Sequence, residues 1–122
     1  DPAMIRRWFG CFTTEPKAHL AIDPPEQSLE EEQFLSMLQQ RQVLYRHPCA
    51  RFAFATLEQE RVQLFACGQY FELPAECHGL AAMLCQSTQM DQQQLKPWTR
   101  TDAGSFVLLQ LYNLGYLEFD NE

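Results

Sequence analysis

The stretch TDAGSFVLLQLYNLGYLEF, Thr101–Phe119, carries the punctuation of one complete helix followed by a strand. Thr101 or Asp102 supplies a side-chain oxygen that can cap the free amides of a first helical turn. Ala103–Leu114 is then apolar on most sides, so this helix belongs in the middle of a core and not on its surface. Gly115 stops it, as the residue that takes a left-handed C-terminal cap without penalty. Tyr116–Phe119 reads as a strand.

Upstream of this helix, a short one is expected over Asp91–Leu95, ending before Pro97. Farther back, Pro74 is well placed in a first helical turn. After it Cys77, Leu80, Ala81, Leu84 and Cys85 recur at i, i+3, i+4, i+7 and i+8, one stripe of a helix. Between Val43 and Leu73 the period changes. VLYRH, RFAFATL, VQLFAC and QYFEL are short runs rich in aromatic and β-branched residues, divided by PCA, EQER and Gly68. They predict an antiparallel meander with tight turns. Phe52 and Phe54 share one face of their strand, and Val62, Leu64 and Ala66 share one of theirs.

Ser28 opens a helix with a capping box, its hydroxyl on the amide of Glu31 and the Glu31 carboxylate returning to the amide of Ser28. Glu30, Glu31 and Glu32 sit at the positive end of the helix dipole, and a solvated first turn explains them. Phe34, Leu35 and Leu38 form the buried face. Residues 13–27 hold three prolines and no sustained period, and read as a linker. Before it, Ile5, Trp8, Phe9 and Phe12 make an apolar stripe on a helical stub over residues 1–12. So short a helix is marginal alone, so the stripe needs cover, from this chain or from another; docking on this chain is favoured. Asp1–Met4 reads equally well as native sequence and as a vector-derived scar.

The order is thus helix, three or four strands, helix, short helix, long helix, strand. That is an α+β domain over residues 28–122, with helices packed on a short antiparallel meander. A winged helix fits the description, although its usual strand order is different.

With 122 residues, 46% hydrophobic and 20% charged, the chain has the make-up of one ordinary globular domain. No apolar run approaches the roughly 20 residues that cross a bilayer. Five cysteines, an odd number with no CxxC pair, point to reduced thiols in a cytoplasmic protein. The net charge of -7 repels nucleic acid and anionic membrane, so neither is expected as a partner.

Catalytic chemistry has little to work with. None of His19, His47 and His78 is followed two positions later by an acid, so the HxD pair of an iron facial triad is missing. Cys77 and Cys85 share a helical face but stand about 12 Å apart along it, too far for one ion. His78 points elsewhere, and buried structural cysteines explain the pair better. There is no GxSxG elbow and no glycine-rich phosphate loop. No catalytic, metal or cofactor residue is therefore expected in this chain.

A free-standing winged helix that binds nucleic acid, or serves as a protein-interaction module, is the alternative. The helices around 75–86 and 103–114 carry no Lys or Arg. The natural wing, LEQERV, has two glutamates and one arginine. Arg41, Arg46 and Arg51 are the only basic trio.

Four segments resemble a known family: WFGCF at Trp8–Phe12, HLAIDPPE at His19–Glu26, VLYRHPCAR at Val43–Arg51 and LLQLYNLGYLEF at Leu108–Phe119. They are similar to the C-terminal region of bacterial ribosomal oxygenases, JmjC-type cupin enzymes that use iron and 2-oxoglutarate to hydroxylate a ribosomal-protein arginine. The resemblance implies that residues 1–12 end a dimerisation-region helix and that 28–122 is a non-catalytic winged-helix domain. That domain would support the catalytic barrel and dimer or contact a basic substrate. Fe(II), 2-oxoglutarate and the catalytic residues would then belong to the upstream domains of a parent that is a homodimer. Ile5, Trp8, Phe9, Phe12, Arg46 and Arg51 would face an inter-domain or dimer interface.

Overall fold

A computed structural model of the chain describes Met4, Ile5, Arg7, Gly10 and residues 22–41, 43–58 and 61–119. In chain order its elements are α1 (Glu31–Arg41), β1 (Val43–Arg46), β2 (Phe52–Thr56), β3 (Val62–Ala66), β4 (Gln69–Leu73), a 3-10 turn (Ala75–Cys77), α2 (His78–Gln86), β5 (Gln89–Asp91), α3 (Gln92–Thr99), α4 (Asp102–Asn113) and β6 (Leu117–Phe119). They fall into two compact units. Residues 22–48 and 87–122 form one, and residues 49–86 form the other with the N-terminal residues. The fold is α+β, as expected.

The first unit is the winged helix. α1, β1, α3, α4 and β6 follow in the order of that fold, and β5 joins them in a three-stranded sheet ordered β5-β1-β6. Leu44 pairs with Met90 on one side and Phe119 on the other, both antiparallel. The connection between β1 and β5 contains residues 49–86 of the second unit, which is why the strand order read from sequence looks unusual. Phe34, Leu44, Met90, Leu95, Val107, Leu108, Leu111 and Leu117 are buried almost completely. Phe34, Tyr112 and Phe119 form a ring cluster, with centroids 5.3 to 5.7 Å apart and the planes tilted.

α4 has the boundaries its sequence predicts. Thr101 is the N-cap and its hydroxyl oxygen accepts from the Gly104 amide at 3.0 Å. At the other end the Tyr116 amide donates to the Leu111 carbonyl and the Gly115 amide to that of Tyr112. With Gly115 at φ 90°, this is a Schellman cap.

Four expectations need correction. α1 begins at Glu31, and the returning side chain is that of Gln33, which accepts from the Glu30 amide at 2.9 Å. The cap therefore lies two residues after Ser28. The cause is distant: Asn113 holds both backbone groups of Leu29, so the chain is extended there and cannot yet be helical. Leu35 is only half-buried, unlike Phe34 and Leu38. α3 runs through Pro97 to Thr99. Proline forgoes one bond, to the carbonyl of exposed Gln93, and the reciprocal cap of Asp91 and Gln94 holds the helix start. Finally, β1 is not part of the meander, because its partners β5 and β6 lie far along the chain.

The second unit is a meander, β2-β3-β4, with α2 against β2 and β3. Leu64 pairs with Phe54 and Phe71, and Phe65 with Ala53 and Tyr70. All five residues of β3 are buried, Gln63 and Phe65 among them, so both faces of this central strand are covered. On the α2 face the ring of Phe54 meets His78 edge-on at 5.4 Å. On the other face lie Gly10 and Arg7. A Cβ on Gly10 would stand 2.5 Å from the Phe65 ring, and the Arg7 guanidinium sits 4.4 Å from the centre of the Tyr70 ring. Gly10 and Arg7, both helical, thus pack on this face of the sheet. The Cys67–Gly68 turn between β3 and β4 has φ values of 51° and 85°, the left-handed pair of a hairpin turn whose first position favours Asn, Asp or Gly over a residue such as cysteine.

Candidate functional site

In the winged-helix unit the helix-turn-helix is made by α3 and α4. Its two-residue turn, Arg100 and Thr101, is tied by the Thr101 hydroxyl donating to the Trp98 carbonyl at 3.0 Å. The helices approach so closely that a Cβ on Gly104 would lie 2.3 Å from that carbonyl oxygen. α4 takes the position of a recognition helix. Its outward residues are Asp102 and Phe106, the latter 59% exposed, with Gln110 half-buried. It carries no cation for a phosphate, and its most exposed side chain is a phenyl ring. Sequence reasoning treated the whole helix as core and missed Phe106.

The interface residues expected from sequence are placed as follows. Ile5 is helical and 67% exposed. On a helix it stands on the opposite side from Arg7 and Gly10. Trp8, Phe9 and Phe12 lie outside the described residues. Arg46 ends β1, half-buried, with its amide donating to the Thr88 carbonyl at 2.9 Å and its position paired with Leu117. Arg51 is exposed, and its carbonyl accepts from the Cys67 amide at 2.9 Å. Arg46 and Arg51 belong to different units.

The thiols have structural surroundings. Cys77 is fully buried and Cys85 half-buried, and none of Cys49, Cys67, Cys77 and Cys85 forms a disulfide. Burial pushes the Cys67 thiol above its ordinary pKa, against a smaller lowering by a backbone hydrogen bond from Arg51. Among the described residues no three His, Cys, Asp or Glu side chains come together as metal donors. No helix among the described residues is long and apolar enough to cross a membrane.

The sequence profile of the ROXA-like winged helix matches residues 1–118. The chain belongs to that family. No curated protein matches its sequence. Among solved structures, it is similar to YcfD of Escherichia coli, 21% identical with a TM-score of 0.79 over 98% of this chain and 30% of that one. A second YcfD structure, described as that of a ribosomal oxygenase in complex with cobalt and 2-oxoglutarate, aligns with a TM-score of 0.79 over 99% of this chain and 32% of that one. This ROXA-like winged helix therefore spans about a third of the length of those chains. At that identity the likeness shows a shared fold.

Proposed function

We propose that the chain is the non-catalytic C-terminal accessory domain of a 2-oxoglutarate- and Fe(II)-dependent ribosomal-protein hydroxylase of the JmjC type. The match to the ROXA-like winged helix over residues 1–118 carries this reading. It is supported by the 30–32% of YcfD that the chain spans. In the parent, iron supplies the oxidising chemistry from donors in the catalytic barrel, and this domain supplies none of them. The parent is read as a cytoplasmic homodimer, with residues 1–12 ending its dimerisation helix and 13–27 leading into the domain.

Within the parent the domain supports the barrel and dimer or contacts the substrate. Its net charge of -7 attracts a basic ribosomal protein at long range. The same charge, with α4 lacking Lys and Arg, disfavours the nucleic-acid module. One experiment tests both halves of the reading. The chain alone, incubated with Fe(II), 2-oxoglutarate and ribosomal proteins, is expected to produce no succinate and no hydroxylated residue. The parent enzyme is expected to hydroxylate its substrate, and to lose dimerisation or substrate affinity when residues 28–122 are deleted. Turnover by the isolated chain, or a deletion that changes neither mass nor kinetics, overturns it.

A further inference from the structure

A groove of about 250 Å³ runs between α1 and α3 in the winged-helix unit. Leu35, Leu38 and Gln39 line it from α1, Gln92, Lys96 and Thr99 from α3, and Arg100 from the cap that ends α3. Leu38 is buried and Leu35 half-buried, so the floor is apolar and partly open. Lys96 and Arg100 are exposed, one helical turn apart, and neither has an ion-pair partner among the described residues. No acid lines the groove, in a chain where acids outnumber bases 16 to nine. Two like charges at i and i+4 weaken a helix by themselves. The dipole at the C-terminal end of α3 accounts for cations there, but not for the open leucine beside them.

We propose that this groove docks a short acidic peptide segment of a partner protein. Carboxylates on the segment pair with Lys96 and Arg100, the amides of Gln39 and Gln92 serve its backbone, and one bulky apolar side chain covers Leu35 and Leu38. The apolar floor separates this ligand from a nucleic acid. A single strand needs cations tracking its backbone and aromatic rings under its bases, and the groove has two cations and no ring.

The test is a titration of the isotope-labelled 122-residue chain, followed by amide chemical shifts. The probe is an acetylated octapeptide alternating glutamate and leucine. Controls are a glutamine-for-glutamate twin, a serine-for-leucine twin and a short oligothymidylate. Shifts confined to the groove-lining segments of α1 and α3 are expected with the first peptide only. Lys96→Glu with Arg100→Glu should weaken binding roughly tenfold or more, with high salt acting in the same direction. Lys96→Gln with Arg100→Gln repeats the test with a milder change, and the amide spectrum reports whether either variant is folded. The proposal is overturned if the oligothymidylate binds there instead, or if the shifts fall elsewhere. Concentration-dependent shifts without peptide, which would seat a second copy in the groove, overturn it too, as does the absence of any shift.

Discussion

The side-chain amide of Asn113 holds the backbone of Leu29 at both ends: the Leu29 amide donates to Asn113 Oδ1 at 2.9 Å, and Asn113 Nδ2 donates to the Leu29 carbonyl at 3.1 Å. This is the pairing a neighbouring strand would provide, made by one side chain 84 residues away. It fixes where the chain turns into α1. Close by, the Ser105 hydroxyl donates to a Glu31 carboxylate oxygen at 3.0 Å, tying the first turn of α1 to α4.

Removing that amide should therefore cost both hydrogen bonds at once. Asn113→Ala is expected to destabilise the winged-helix unit by about 1–3 kcal/mol. Asn113→Asp keeps the acceptor but sets a carboxylate against the Leu29 carbonyl, and should be no better than alanine at neutral pH. Urea unfolding measures both. An aspartate variant as stable as wild type would show that only the Leu29 amide matters.

Just past Asn113, Gly115 combines two constraints that a pair of substitutions can separate. Its φ is 90°, and a Cβ there would lie 2.4 Å from the Asp23 carbonyl oxygen. Gly115→Ala is expected to lose at least about 1–2 kcal/mol from the left-handed backbone alone. Asparagine tolerates that conformation but brings the same Cβ. If the close approach of Asp23 dominates, Gly115→Asn will be as destabilising as alanine; a mild asparagine would assign the requirement to the backbone.

These contacts also explain what the sequence conveys and what it hides. α4 was readable because its signals are local: a Thr101 cap, an apolar body and Gly115 as its stop. The meander was readable for the same reason, with strands joined by short turns. β1 was misassigned because VLYR looks like its neighbours, and what separates it is pairing with Leu117–Phe119 and with QMD, three residues whose only strand-like feature is buried Met90. Ser28 and Glu31 match a capping box, yet Asn113 overrides them from the far end of the domain. Helix α3 passes Pro97 because its cap compensates locally. The groove was hidden because α1 contributes leucines while the cations come from α3 and its C-cap, and no spacing rule joins residues 35 and 96.

The N-terminal helix is expected to be held by Gly10 and Arg7. Gly10→Val would force its side chain into the Phe65 ring, since even a Cβ stands 2.5 Å away. Trypsin should then cleave after Arg7 roughly tenfold faster, the factor produced by about 1.4 kcal/mol of lost docking. Tyr70→Ala should act in the same direction through the lost cation–π contact, worth about 0.5–1 kcal/mol at an exposed site. Tyr70→Phe keeps the ring and should resemble wild type. Equal cleavage rates in all four proteins would show that the sheet does not hold this segment.

Cys67 gives the chain a specific alkaline weakness. Its thiol is pushed above the ordinary value of 9.0, chiefly by burial, while the Arg51 backbone hydrogen bond opposes the shift. A raised acid pKa in the folded state means that the unfolded chain releases the proton first. Well below pH 9 both states keep it and stability does not depend on this group. As pH rises above that value the unfolded state binds fewer protons, so stability falls until the folded thiol itself ionises. Thermal midpoints measured from pH 8 upward should decline, and the decline should be shallower in Cys67→Ala. That variant will also differ at neutral pH, because it loses a buried sulfur while keeping a side chain at φ 51°. The slope, not the offset, is the readout. Parallel slopes in the two proteins would mean that the thiol ionises as easily in the hairpin as in the unfolded chain.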